Sequence, residues 1–364
     1  MTTDQRLVTD EIRSLIGASA PVRTTQDAVS TSEIRRFAQA TFDDARIFHD
    51  DAAAKASRFG SRVAPGMFTM LSLRPNIPFV DDTMRSAQSG DDTYRVAVTE
   101  NLPQPAAWCG LYRFHASDDV EFFRLPHVGD TLSAHTSLKN IYEKSGRNGP
   151  LAFYVVRTDW KNQRDELVAR EDVNLVWTAH SAKRDGGSAE PVPPRDPPPM
   201  PPARPLDLQR VNFEDVTEGQ ALPEKMIRVT VPTVVRWQMA SESYRRDHFD
   251  HDYATQVGKL PNIIASAMWT LSCRWSYLNQ FAGCDGWVWK MSHSVRARMN
   301  IGDTLSFGGA VTKLARREAY GLVEAEVNLT NQDGLIVAPG RASIALPYRN
   351  GPAVPYPFVP SNPD

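Results

Sequence analysis

Cysteine is scarce in this sequence of 364 residues, which has only Cys109, Cys273 and Cys284. Three scattered cysteines are too few for a disulfide framework or a zinc site. An excess of one charge is also missing, since 41 Lys and Arg face 43 Asp and Glu, which excludes a broad basic surface for nucleic acid. No run approaches the ~18 apolar residues of a membrane span, and residues 1–11 lack the apolar segment of a signal peptide. These absences predict a soluble, cytoplasmic protein without a metal, a membrane partner or a nucleic-acid partner.

Proline, in contrast, is abundant and unevenly placed. Nine of the 27 prolines lie within residues 191–205. Proline fixes φ and lacks an N–H donor, so this stretch can form neither a central strand nor a helix interior. We interpret residues 183–208 as an extended linker between two domains, 1–182 and 209–350, with a tail at 351–364.

The two predicted domains repeat each other. Four segments of the first domain recur in the same order in the second. At an offset of 200 residues, 29–41 pairs with 229–241 and 49–56 with 249–256. The offset is 173 for 128–134 with 301–307, and 169 for 160–169 with 329–338. The offset falls because the first copy is longer between its second and third segments. Gly66 and Gly129 are 63 residues apart, whereas Ala267 and Gly302 are 35 apart, so the first copy holds about 28 extra residues, around 73–95. The chain is therefore predicted to be two copies of one fold.

Each copy follows one plan. Ser30 and Glu33 have the spacing of a capping box that opens a short helix. A polar loop follows, and then an apolar segment at helical spacing, at 64–73 in the first copy and 262–281 in the second. Strand-like runs come last, and residues 321–330 alternate between apolar and polar side chains. This order predicts an α+β fold in which an antiparallel sheet wraps around a long helix.

The same order of elements resembles the MaoC-like hydratases and dehydratases. In that family two hot-dog domains are often fused, and here residues 8–180 look like a FAS1-like dehydratase domain while 210–347 look like the catalytic MaoC domain. The resemblance implies a double hot-dog fold whose first half is not catalytic. Because a double hot dog contains its own pseudo-dimer, both a monomer and a homodimer are compatible with it.

The family motif reads approximately G-D-x-N-P-x-H-x-D-x-x-Y-A. Residues 241–254 read S-E-S-Y-R-R-D-H-F-D-H-D-Y-A, which puts His248 on the family histidine and Asp250 on the aspartate after it. Ser243 stands where the family has its catalytic aspartate. In the first copy Asp43 falls on that aspartate and Phe48 on the histidine, and a shift by one residue would instead select His49.

Hydration of an α,β-unsaturated thioester needs a base for water, an acid for C2 and donors for the thioester oxygen. The resemblance implies that Asp and His share the proton transfers and that a backbone N–H at the start of the hot-dog helix is the oxyanion donor. That position is Ala267, preceded by Ser266, and its counterpart in the first copy is Gly66.

His248 is the first candidate for acid–base catalysis because imidazole titrates near neutrality. Ser243 could position water, and Asp247 could take the role of the absent aspartate, although charged side chains in a polar loop are usually only solvated. Further candidates for substrate binding are the side chains or backbone of Tyr244, Asp250, Ser266, Asp43 and Gly66.

The leading hypothesis is a hydratase or dehydratase that adds or removes water across a 2-enoyl or 3-hydroxyacyl thioester with a bulky acyl group. The thioester would be carried by coenzyme A or acyl carrier protein, with no further cofactor. Two alternatives stay open: a hot-dog acyl-CoA thioesterase, and a non-catalytic protein that binds acyl thioesters.

Overall fold

The computed structural model describes residues 6–72, 101–146, 149–179 and 204–361. The insertion predicted around 73–95 and most of the linker predicted at 183–208 lie outside these ranges. Within them, no helix has the length and apolar character needed to cross a membrane.

Six α-helices lie in the described ranges. They are α1 (Asp10–Arg13), α2 (Thr31–Ala40), α3 (Asp51–Ala56), α4 (Phe68–Leu71), α5 (Val231–Ser241) and α6 (Ala267–Ala282). Short 3-10 turns at Arg46–Phe48 and Arg246–His248 follow α2 and α5, and a π-helical turn spans Tyr253–Val257. The capping box predicted at Ser30 and Glu33 is present at the start of α2, where it satisfies backbone donors of the first turn.

Eleven strands form one antiparallel sheet in the described part of the chain. They are β1 (Arg23–Thr24), β2 (Tyr112–Phe122), β3 (Leu132–Gly146), β4 (Gly149–Asn162), β5 (Leu167–Thr178), β6 (Lys225–Arg228), β7 (Trp287–Ser294), β8 (Thr304–Arg316), β9 (Gly321–Asn331), β10 (Ile336–Ala338) and β11 (Arg341–Leu346).

The strand order shows the repeat directly. It runs β1-β3-β4-β5-β2 through the first copy and β7-β11-β9-β8-β6 through the second, with β10 paired to β9. The second half of this order is the first half reversed, as expected for two equivalent sheets related by a pseudo-twofold axis. The copies join where β2 pairs antiparallel with β7, so the backbone hydrogen-bond ladder continues from one copy into the other.

Equivalent side chains keep equivalent contacts in the two copies. Phe37 on α2 and Trp237 on α5, which are 200 residues apart in the chain, pack against each other with their ring centroids 5.7 Å apart. Asp130 and Asp303, each in a Gly-Asp turn, accept hydrogen bonds from Gln163 and Gln332. The α+β architecture and the repeat are therefore confirmed.

Helix α6 is the central helix of the second copy, and 11 of its 16 residues are buried. It begins at Ala267, five residues after the predicted start at 262. The reason is that the preceding residues pair with another segment: Ile264 forms a bridge with Asn300, and the Ala265 N–H donates to the Met299 carbonyl at 2.7 Å. In the first copy the helix predicted for 64–73 is α4, which covers only Phe68–Leu71.

The segment interpreted as a tail packs against both copies. The Val354 N–H donates to the Asp285 carbonyl, and the Phe358 N–H donates to the Phe123 carbonyl at 2.8 Å. The side chains of Val354 and Phe358 are almost fully buried. Residues 351–361 are therefore anchored to the core through Val354 and Phe358.

Candidate active site

A cavity of ≈ 500 Å³ lies between the two copies. The second copy contributes the loop after α5 and the start of α6, and the first copy contributes Met70 on α4 together with residues of β2 and β5. The polar side chains around it come from both sides: Ser243, Arg245, Asp247, His248, Ser266 and Arg298 from the second copy, and Arg113, His115, Asp118 and Glu171 from the first.

His248 ends the 3-10 turn that lines this cavity. The turn is fixed from both sides, because Asp250 pairs with Arg246 at 2.7 Å and accepts the Tyr253 N–H at 3.0 Å. The Nδ1 atom of His248 lies 2.9 Å from the Ile264 carbonyl oxygen. Since a carbonyl can only accept, Nδ1 carries the proton and donates it, and Nε2 is then the basic nitrogen of the neutral ring.

Ser243 lines the same cavity and is 7% exposed. Its backbone is held by Gln238, whose carbonyl accepts the Ser243 N–H at 3.1 Å and whose side-chain amide donates to the Ser243 carbonyl. The preceding residue, Glu242, has a left-handed backbone with φ of 45°, which ends α5 and turns the chain toward the cavity. The position of the family aspartate is thus well defined, although its side chain is a hydroxyl.

Asp247 forms an ion pair with Arg245 at 2.5 Å. Partial burial raises the pKa of Asp247, but the charge and hydrogen bond of Arg245 outweigh burial and lower the pKa below its usual range. Asp247 is therefore a carboxylate at neutral pH, which suits an electrostatic role and excludes it as the general acid there.

Besides the loop that carries His248, the second copy contributes the start of α6 to the cavity wall. Ser266 is the N-cap and its carbonyl accepts the N–H groups of Trp269 and Thr270, while Ala267 is the first helical residue. The N–H groups of the first helical residues, which precede these two bonds, have no acceptor within their own helix and point toward its N-terminal end, where the helix dipole also favours negative charge. Ala267 therefore has the position required of an oxyanion donor.

Five of the nine predicted site residues line the cavity: Ser243, Asp247, His248, Ser266 and Ala267. Asp250 does not line the cavity, and its contribution is indirect, because it fixes the turn that carries His248. Tyr244 is half-buried and does not line it either. The remaining two, Asp43 and Gly66, lie in the first copy.

The equivalent position in the first copy is filled with side chains. Phe48 is fully buried, and the centroid of its ring lies 6.2 Å from that of Trp275 on α6. A Cβ atom added to Gly66 would lie 2.6 Å from Nε1 of Trp275, so the indole occupies the space in front of this glycine. Asp43 is completely buried beside this group, and burial raises its pKa to about 6. The imidazole of His49 contacts the Asp43 backbone carbonyl at 2.7 Å.

Sequence reasoning missed the polar residues that the first copy contributes to the cavity: Arg113, His115, Asp118 and Glu171. His115 and Asp118 are three apart on a strand, a spacing that normally puts two side chains on opposite faces of a sheet. No pattern in the sequence therefore joins them. Only the polar character of residues 115–121 within a strand-like segment could have indicated a buried polar group.

Groups of His, Cys, Asp or Glu that could hold a metal ion do not occur among the described residues.

Comparisons with known proteins agree with this architecture. Residues 14–171 match the family model of the FAS1-like dehydratase domain region. Among curated proteins, none matches the chain.

Solved structures similar to this chain cover nearly all of it. A MaoC-like dehydratase has a TM-score of 0.64 at 16% identity, with 92% of this chain and 99% of that chain covered. A MaoC domain protein dehydratase from Chloroflexus aurantiacus has a TM-score of 0.60 at 13% identity and covers 92% of this chain and 96% of its own. A Mycobacterium tuberculosis protein described as a double hotdog fold has a TM-score of 0.56 at 13% identity, covering 91% and 97%.

The chain therefore has the predicted double hot-dog fold, and it is similar in structure to proteins named MaoC-like dehydratases. Within its N-terminal copy, residues 14–171 are similar to the FAS1-like dehydratase domain region.

Proposed function

We propose that the protein is a hydro-lyase that adds water to, or removes it from, a 2-enoyl or 3-hydroxyacyl thioester. The observation that supports this most strongly is that His248 and the first turn of α6 line one cavity. A titratable nitrogen and an oxyanion donor on the same cavity are what this chemistry needs. The dehydratase names of the family match and of the similar structures point to the same reaction.

In the hydration direction, the thioester oxygen lies at the Ala267 N–H, where the charge that develops after water attack is stabilised. Nε2 of His248 exchanges a proton with water or with C2 of the acyl chain. The carbonyl of Ile264 supports this role because it accepts the Nδ1 proton and stabilises the imidazolium form. No redox step is needed, so the reaction proceeds without a further cofactor.

The arginines of the cavity suit a phosphorylated carrier. Arg113, Arg245 and Arg298 all line it, and Arg113 and Arg245 are exposed. Guanidinium groups bind phosphate oxygens with strong, charge-assisted hydrogen bonds. The carrier is therefore coenzyme A or the phosphopantetheine arm of acyl carrier protein, and the cavity between the copies leaves room for a bulky acyl group.

The test is the loss of enoyl absorbance when the purified protein is incubated with crotonyl-CoA and with longer and branched enoyl-CoAs. We expect hydration by the wild type and a rate at least ~10² lower for His248→Ala, the size of an acid–base contribution. Release of free thiol without loss of the double bond would instead identify a thioesterase. Binding of the esters with neither reaction would identify a non-catalytic binding protein, and either result contradicts the proposal.

A further inference from the structure

We propose that His115, oriented by Asp118, is the second proton-transfer residue of this site and is contributed by the N-terminal copy. In this role it replaces the aspartate whose position Ser243 occupies. The inference rests on the proposed hydro-lyase function and adds a catalytic residue to it.

A β-bulge brings the two side chains together. His115 is the Cα partner of Leu175 on β5, and Ser117 is the partner of Asn174, so Ala116 is an extra residue with no partner. One extra residue reverses the alternation of side chains, and His115 and Asp118 therefore lie on the same face of β2. That face lines the cavity, as do the strand partners Leu175 and Val173. Bulges of this kind often redirect a side chain at a functional site.

The contact between the two side chains is short. Nε2 of His115 lies 2.7 Å from Oδ2 of Asp118. Since the carboxylate can only accept, Nε2 donates and Nδ1 is the basic nitrogen of the neutral ring. The carboxylate thus fixes the tautomer and stabilises the imidazolium, as the aspartate of a catalytic triad does.

The burial of Asp118 separates this pair from an ordinary surface ion pair. Its side chain is 0% exposed, whereas that of His115 is 30% exposed at the cavity. Oδ1 of Asp118 has no hydrogen-bond partner within the described ranges. A buried carboxylate with an unpartnered oxygen is costly for folding. Such a cost is expected where a carboxylate serves a function, and a packing role alone would be filled better by an apolar residue.

The surroundings favour His115 as the charged partner of Asp118. His293 on β7 is the Cα partner of Asp118 and is fully buried. Burial, together with the positive charges of Arg274 and His115, lowers the pKa of His293 well below its usual range, so that ring stays neutral. The guanidinium of Arg274 donates to the Ser292 and Ala338 carbonyls, at 2.9 and 2.7 Å. His115 is therefore the cation that contacts the Asp118 carboxylate.

The proton balance is complete with two histidines. In hydration, one ring removes a proton from water as its oxygen bonds to C3, and the C2=C3 π electrons move toward the thioester oxygen at Ala267. The other ring, protonated at the outset, delivers a proton to C2. Water is consumed, no electron acceptor is needed, and proton exchange with solvent resets the two rings.

The experiment compares His115→Gln and Asp118→Asn with His135→Gln in enoyl-CoA hydration. His135 on β3 contacts Ser133 at 3.1 Å and does not line the cavity, so it is the matched control. We expect kcat to fall by ~10² for His115→Gln and by at least ~10-fold for Asp118→Asn, with KM changed less than ~3-fold. A variant that binds substrate normally but turns over slowly has lost a chemical group and not its fold.

A second measurement needs no variant. Diethyl pyrocarbonate labels accessible histidines, and mass spectrometry locates the label. We expect crotonyl-CoA to protect His115 and His248, while His251, whose side chain is 62% exposed, is labelled equally with and without it.

These experiments distinguish a failure of the role of His115 from a failure of the proposed hydro-lyase function. If His248→Ala loses activity while His115→Gln keeps kcat within ~3-fold of wild type, or if His115 is not protected, the role of His115 is refuted and the hydro-lyase function stands. If the wild type hydrates no enoyl-CoA, both proposals fall.

Discussion

The loop that carries His248 in the C-terminal copy and the loop that carries Phe48 in the N-terminal copy are built in the same way. Each follows a capped helix, each has a 3-10 turn, and each turn is fixed by an Arg–Asp pair, Arg246 with Asp250 and Arg46 with Asp50. The side chain at the end of the turn differs. In one copy it is an imidazole at a cavity, and in the other it is a phenyl ring in the core.

What faces the loop explains the difference. Trp275 from the second copy's helix lies against Phe48 and Gly66, so the first copy has no space for a substrate there. The first copy therefore has the loop backbone of the second copy but not the space for a substrate. The same loop frame thus stabilises both copies, and in the proposed function it positions a catalytic side chain in only the C-terminal copy.

The largest effect is expected from making the second copy resemble the first. His248→Phe should lower the hydration rate by at least ~10², because it removes the imidazole and keeps the turn. Adding Phe48→His to that variant should restore nothing, since the first copy's position is filled by Trp275. Initial rates with an enoyl-CoA measure both, and recovered activity in the double variant would show that the first copy can hold substrate.

The next effect concerns the glycine of the first copy. Gly66→Ala should lower the free energy of unfolding by ~1–3 kcal/mol, because the new methyl group would overlap Trp275. The reverse change at the equivalent position, Ala267→Gly, should cost at most ~1 kcal/mol, the helix propensity of glycine. Denaturant unfolding compares them, and equal costs would show that the two positions are equally packed.

Asp43 should give an effect of similar size, but one that depends on pH. The folded protein holds the proton of Asp43 up to about pH 6, while the unfolded chain releases it near 3.8. Raising the pH through this window therefore favours unfolding. Asp43→Asn should increase the free energy of unfolding by ~3 kcal/mol at pH 8 and change it little at pH 4, because the pKa of Asp43 is about two units higher in the folded than in the unfolded chain. A pH-independent change, or a loss of turnover, would contradict the burial of Asp43 away from the site.

The smallest effect tests the shared frame. Asp50→Ala and Asp250→Ala should each lower Tm by a few degrees, since each aspartate accepts backbone N–H groups and pairs with an arginine. Only Asp250→Ala should also slow hydration, because its turn holds His248. Equal rates in the two variants would mean that the turn does not position the imidazole.

The sequence allowed the repeat and the loop candidates to be predicted because they depend on local signals. The capping box of Ser30 was predicted from its spacing to Glu33, and the repeated segments that contain Ser30 and Asp130 adopt equivalent structures around Thr230 and Asp303. The start of α6 was predicted too early, since pairing of Ile264 with Asn300 overrides an apolar pattern that continues through it.

The rest depended on contacts between distant parts of the chain. The bulge at Ala116 reverses the faces of β2, and nothing in the residues around it signals the change. The closing of the first copy depends on Trp275, more than 200 residues after Gly66 in the chain. Neither can be read from periodicity, because each is fixed by packing between the copies.

The packing of the C-terminal copy against the first has a consequence for biosynthesis. The N-terminal core includes Trp275 against Gly66 and Phe358 against the backbone of Phe123. The ribosome synthesises Trp275 and Phe358 more than 200 residues after the parts of the first copy against which they pack. The first half of the nascent chain therefore exposes apolar surface until the second half has been synthesised. We expect chaperones to bind the chain at that stage.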